Sequence, residues 1–197
     1  MSRRSEDIFL DELDKGIASV IKNALNEIDE GNCDRAWELL KPLVNKKDKA
    51  AIFYASSFGI TGEQIAAFEG RRINQLQQSA GYGYAPAIHE LAVYYDNGDL
   101  VPRDAEKAAQ LFKHAAEKGH PHSQWIYGLD LLYGKNGIDR NEELGLDYIK
   151  KSASAKFEGA LESMSEFYET GQFGLQIDVD KARYFKNQLN DEDILGY

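Results

Sequence analysis

The side chains best suited to chemistry in this sequence are its histidines, its one thiol and its paired carboxylates. His114, His120 and His122 fall close together, and two imidazoles spaced as His120-x-His122 can hold zinc or relay a proton. Neither a cysteine nor a carboxylate stands at a recognised ligand spacing from them, so no metal site is expected. The spacing instead sets His120 and His122 on either side of Pro121 in a turn, as surface imidazoles, with His114 on the outer face of a helix. Cys33 is the only cysteine, which rules out an intrachain disulfide, and no base stands beside it, so it is expected as a small filler near a helix start. Gly81-Tyr82-Gly83 lacks the third glycine of a dinucleotide cradle, Gly134-Lys135 lacks the loop of a P-loop, and Asp96-Asn97-Gly98-Asp99 lacks the closing glutamate of a calcium loop. The pairs Glu142-Glu143 and Asp178/Asp180 fall at predicted helix N-termini, where negative charge suits the dipole. No nucleophile has a base, and no cofactor is expected. A helical hydrolase built on Glu162, Glu166 or the histidine group is the remote alternative.

The elements that carry these residues repeat. From Ala87 the series runs Leu91-Ala92, Tyr95, Gly98, Val101, Asp104, Lys107-Ala108, Leu111-Phe112, Ala115-Ala116 and Gly119. It returns as Ser123, Tyr127-Gly128, Leu131 and Gly134, then, after one extra residue, as Ile138, Asn141, Leu144-Gly145, Tyr148-Ile149 and Ser152-Ala153. A third pass gives Ala160, Met164-Ser165, Tyr168, Gly171, Leu175, Asp178, Lys181-Ala182 and Phe185. Each pass predicts two helices. The first carries a small residue and two large ones at helical spacing and stops at a glycine; the second starts at Asp or Asn, the N-cap residue types. Fainter copies lie upstream, at Asp34-Arg35-Ala36, Leu39-Leu40 and Leu43-Val44, then Ala51, Ala55 and Phe58. A helix starting at Thr61, with Gln64 in capping-box spacing, is expected to bury Ile65, Phe68, Leu76 and Ala80. Leu10, Leu13, Ile17, Val20, Ala24 and Ile28 predict an opening amphipathic helix.

The fold expected is all-α, an α-solenoid of antiparallel helix pairs with an N-terminal capping helix and a period of about 36 residues. One domain spans 1–197: capping helices over 6–50, a degenerate repeat over 51–84, repeats over 85–120, 121–157 and 158–190, and an acidic tail over 191–197 that frays or caps the end. A single repeat cannot bury its own faces, so neighbours stabilise one another, and Leu111→Ala is expected to cost about 2–5 kcal/mol.

Over Ala87–Gly119 above all, and less closely from Ser123 and Ala160, the pattern resembles the Sel1-like repeat, a relative of the tetratricopeptide repeat. The copy from Ser123 departs from it by lacking the Lys-Ala pair and by having Leu131 where the other copies have the tyrosine three residues before the glycine. The copy from Ala160 departs by having Gln188-Leu189 where Ala-Ala would stand. The resemblance implies an α-solenoid and a non-catalytic, protein-binding role as an adaptor, a scaffold or an immunity protein against a toxin. It implies no catalytic residues.

Charge narrows the partner. With 33 acidic against 23 basic residues in 197, the net charge is −10 and the chain repels phosphate backbones, so no nucleic-acid partner is expected. The basic clusters Lys46-Lys47-x-Lys49 and Arg71-Arg72 are expected in solvated turns. Ser2-Arg3-Arg4-Ser5 is followed by no apolar stretch of signal length, and no run reaches the length of a membrane span, so a cytoplasmic protein without membrane insertion is expected. The face of the first helices opposite their core positions reads Phe53 and Ser57, then His89, Val93 and Asp96, then Trp125, Leu129 and Leu132, and lastly Glu162, Glu166 and Glu169. These residues are expected to line a concave partner-binding face, apolar and then acidic, with Trp125 as its anchor and a basic toxin or signalling protein as its partner. A self-associating structural subunit is the alternative use of the same apolar strip.

Overall fold

The computed structural model describes residues 3–4, 7–191 and 194–196. In chain order its elements are β1 (Arg3–Arg4), α1 (Asp7–Asp11), α2 (Lys15–Asp29), α3 (Cys33–Asn45), α4 (Lys49–Ala55) and α5 (Ile65–Gly81). There follow α6 (Ala85–Asn97), α7 (Ala105–Glu117), α8 (Pro121–Tyr133), α9 (Glu142–Ser154), α10 (Glu158–Thr170), α11 (Val179–Gln188) and β2 (Leu195–Gly196). The fold is all-α, a solenoid of antiparallel helix pairs, and its only strands among the described residues are the two-residue β1 and β2, which pair in parallel. Packing divides it into two compact units. The amino-terminal unit is Phe9–Arg103; the carboxy-terminal unit runs from Asp104 onward and takes in the described residues up to Ile8.

In the carboxy-terminal unit each helix packs on the next, α7 on α8, α8 on α9, α9 on α10 and α10 on α11. The expected caps are present. Asp104, Asn141 and Asp178 adopt nearly the same extended conformation (φ −149, −147 and −147°), and each side chain accepts the N–H three residues on, from Lys107, Leu144 and Lys181. The backbone N–H of Asn141 donates to the Leu131 carbonyl at 2.8 Å, and that of Asp178 to the equivalent Tyr168 carbonyl at 2.9 Å, so one bond ties each second helix to the last turn of its first. Gly134 and Gly171 close α8 and α10 in the left-handed conformation, as Gly98 closes α6.

The departure of the middle repeat from the consensus has a steric cause. A Cβ on Gly145 would lie 2.8 Å from the Gly128 carbonyl oxygen and 2.9 Å from Leu132 Cγ, so α8 and α9 touch backbone to backbone where other copies carry alanine. At the equivalent contact between α10 and α11, the Ser165 hydroxyl donates to the Ala182 carbonyl at 3.1 Å. Leu132, Ile149, Phe157, Leu161, Met164 and Phe167 form the core around this stack.

The amino-terminal unit buries Ile21, Leu40, Ile52, Leu76 and Ile88. Its opening departs from the sequence expectation. The run from Leu10 to Ile28 is two helices rather than one, because the Asp14 side chain accepts the Gly16 and Ile17 N–H groups and starts α2 afresh. α5 begins at Ile65 rather than Thr61, whose N–H donates to Asp34 Oδ1 at 2.8 Å, and Ile65 is 77% exposed instead of buried. The face that α5 turns inward is mixed, with Gln75 and Ser79 buried beside Leu76. Arg71 donates to both Glu63 carboxylate oxygens (2.8 Å each), to the carbonyls of Ala55 and Phe58 (2.8 Å each) and to Gln75 Oε1 (3.0 Å). It thereby closes the C-terminal end of α4. Arg71 and Arg72, expected in a solvated turn, are half-buried in mid-helix, Arg72 paired with Glu90.

Candidate functional site

The histidines do not form a site. His114 is exposed, whereas His120 and His122, expected as surface imidazoles, are packed in. His120 is 1% exposed and caps α8, its Nδ1 accepting the Ser123 N–H at 3.3 Å. His122 stacks on Phe157 with centroids 4.7 Å apart. Burial holds both below the ordinary imidazole value, His120 to about 3, with His122 adding to the effect, and His122 to about 4. Pro121 stands in the first turn of α8, where its missing N–H goes unneeded, with His120 before it as the cap and His122 after it. Among the described residues no group of three or more His, Cys, Asp or Glu side chains is arranged to hold a metal ion.

The residues of the first-helix face separate into three kinds. Phe53, on α4, is 6% exposed and packs edge-on against Tyr54 and Tyr84 (5.1 and 5.4 Å); His89 is also buried, and Leu132 is wholly buried against Gly145. These three are interior side chains. Val93, Trp125 and Leu129 are half-buried. Glu162, Glu166 and Glu169 are exposed along one side of α10.

Trp125 is held rather than loose. Its ring lies 5.7 Å from that of Phe157 and 5.9 Å from that of His122, and its indole N–H donates to Ser163 Oγ at 2.9 Å. Ser163 in turn donates to the Gly159 carbonyl at 2.7 Å. The indole therefore docks on α10 at the residue that follows Glu162 and stands one turn before Glu166. Leu129, one turn along α8, packs on the same core cluster. The carboxy-terminal unit thus places an apolar, aromatic strip on α8 beside an acidic one on α10. Elsewhere in that unit some carboxylates are paired locally, Asp147 with Lys151, Asp178 with Lys181 and Asp180 with Arg183. Among the described residues Glu162, Glu166 and Glu169 make no ion pair. Sequence spacing found the acidic stripe and Trp125, but missed Ser163, whose role depends on the register between two helices.

The repeat pattern and this helix-pair geometry are matched by one family, the Sel1 repeat, over residues 85–120, 121–157 and 160–185. The chain belongs to the Sel1 repeat family. Among solved structures, a Sel1 repeat protein from Oxalobacter formigenes superposes with a TM-score of 0.74 at 20% identity, covering 88% of this chain and 71% of that one. A protective antigen of uropathogenic Escherichia coli strains, displaying an SLR fold, superposes with a TM-score of 0.64 at 24% identity, over 77% of this chain and 32% of that one. In sequence, the chain is 32% identical over 112 residues to chitin synthase regulatory factor 2 of Schizosaccharomyces pombe; the match covers 56% of this chain and 22% of that protein. The chain therefore spans about a fifth of that relative. Sel1 repeat proteins generally mediate protein–protein interactions. No described helix of this one is long and apolar enough to cross a membrane.

Proposed function

We propose that this Sel1 repeat protein is a non-enzymatic, cytoplasmic adaptor that binds a basic surface of a partner protein through the first-helix face of its carboxy-terminal unit. The observation that carries this reading is the stripe Glu162, Glu166 and Glu169, exposed and without an ion pair among the described residues, beside the half-buried Trp125 and Leu129. An anchored aromatic next to unneutralised charge supplies both a fixed contact and electrostatic steering. The net charge of −10 has the same sign as the stripe and strengthens that field at low salt. Resemblance to a regulatory factor favours an adaptor over a toxin-neutralising immunity protein. Affinity purification with wild type and a Glu162→Lys/Glu166→Lys variant as paired baits tests it. A basic protein retained by wild type and lost from the folded variant is expected. Identical co-purifying proteins on both baits overturn the reading, and a toxin as the retained partner would assign the immunity role.

A self-associating scaffold is favoured by one observation, the exposure of Ile177, Val179 and Tyr184 (67, 60 and 61%) at α11. Sedimentation decides between them: the adaptor reading expects a monomer.

A further inference from the structure

The end of the chain, expected to fray or to cap the stack, is seated in the carboxy-terminal unit at Asp191 and at Ile194, Leu195 and Gly196. Leu195 is 1% exposed and belongs to the same core cluster as Phe157, Ala160 and Leu161, with Ile194 packed against it. The Leu195 N–H donates to the Lys156 carbonyl at 3.0 Å, and Leu195 bridges Phe157 in parallel. On its other side β2 pairs with β1, Arg3 opposite Leu195 and Arg4 opposite Gly196. Lys156 Nζ lies 3.1 Å from Asp191 Oδ2. An extended segment is thus held by main-chain bonds, one apolar pocket and one charge, the means by which folded domains bind peptides in trans.

Lys156 supplies the charged contact of this seat. It stands where the preceding repeat has Gly119, and both are in the left-handed region (φ 60 and 87°). That conformation strains a lysine and not a glycine. Lys47 takes the same conformation (φ 61°) at the α3–α4 turn, so the conformation belongs to the turn, and what Lys156 adds here is an ammonium group facing the Asp191 carboxylate.

We propose that the α9–α10 turn at Lys156–Phe157 is a binding site for an extended peptide of a partner protein that carries an aspartate three residues before an Ile-Leu pair, and that Asp191 with Ile194, Leu195 and Gly196 of this chain are its resident occupant. The ladder that holds this occupant is two residues long, and its one ion pair is substantially exposed on both partners (36 and 45%), so the cost of release is small compared with that of undocking a helix. A tethered occupant acts at an effective concentration on the order of millimolar, so a partner peptide must outcompete it, which makes the site self-regulated. This site is separate from the acidic face of α10 and does not depend on it.

The test uses the full chain and a fluorescent synthetic peptide with the sequence of residues 190–197, followed by anisotropy. Leu195→Asp, which expels the resident segment, is expected to bind the peptide at least tenfold more tightly than the unmodified chain. A peptide carrying aspartate in place of its leucine is expected not to bind. Adding Lys156→Ala to Leu195→Asp is expected to weaken binding severalfold, whereas adding Glu162→Lys/Glu166→Lys is expected to leave it unchanged, which separates this site from the partner face. Where Leu195→Asp does not fold, Ile194→Ala/Leu195→Ala takes its place. A folded variant that binds no more peptide than wild type overturns the proposal. Loss of cooperative unfolding in both variants also overturns it, because the segment is then a core element rather than an occupant.

Discussion

At the residue scale, side chains that look chemically active are used for packing. His120 and His122 were legible as histidines at a turn, but burial was not, because it depends on Phe157 from the following repeat stacking over His122. Both imidazoles are held neutral, to about 3 and about 4, so the unfolded chain binds more protons than the folded one below pH 6.5. Stability is therefore full above that value and declines as pH falls towards 4, by up to about 1.4 kcal/mol per pH unit for each histidine. Urea midpoints at pH 7 and pH 5 check this. His120→Asn keeps a capping acceptor without the titration and is expected to show the smaller loss between them; an equal loss in both proteins contradicts the assignment. Gly145 was legible only as a break in the consensus. Its reason is the Gly128 carbonyl 2.8 Å from where a Cβ would stand. Gly145→Ala is expected to lower stability by about 1–3 kcal/mol in thermal or urea unfolding, despite alanine's better helix propensity. A neutral or stabilising result would show that α8 and α9 separate without strain.

At the element scale, the helices whose ends carry their own signals were the legible ones. Asp104, Asn141 and Asp178 start their helices and Gly98, Gly134 and Gly171 stop theirs at the expected positions because a cap is a local hydrogen bond, written within four residues. α5 was not legible in the same way. Its start is fixed by Asp34, far away in sequence, and its inward face by Arg71, which sequence periodicity assigns to solvent. The Arg71 guanidinium also holds the Glu63 carboxyl below its ordinary range. The core position of α7 shifts by one residue in the same manner: Leu111 is half-buried, and Phe112, at 6% exposure, is the interior side chain. Phe112→Ala is expected to cost about 3–5 kcal/mol and Leu111→Ala clearly less, read from paired denaturation curves. The reverse order would mean that α7 is rotated about its axis relative to the structure described.

At the scale of the whole molecule, the repeat architecture was legible and the site only in part. The α-solenoid follows from a period that keeps small and large residues in phase, and the three matched Sel1 repeats agree with it. The face was read as a simple complement of the core positions, and that geometry fails at three of its positions. Phe53, His89 and Leu132 lie inside, packed against neighbouring side chains or backbone, whereas Glu162, Glu166 and Glu169 are exposed. The seat of Leu195 was invisible, since it joins residues far apart in the chain that share no periodicity. A net charge of −10 thus has a local expression on α10, and the account rests on whether partners meet it there. Hydrogen–deuterium exchange of this protein, alone and with the partner retained by the paired baits, reads that directly. The account predicts new protection on α8 over Pro121–Tyr133 and on α10 over Glu158–Thr170. Protection confined to α9 and α11, with α8 and α10 unchanged, would contradict it.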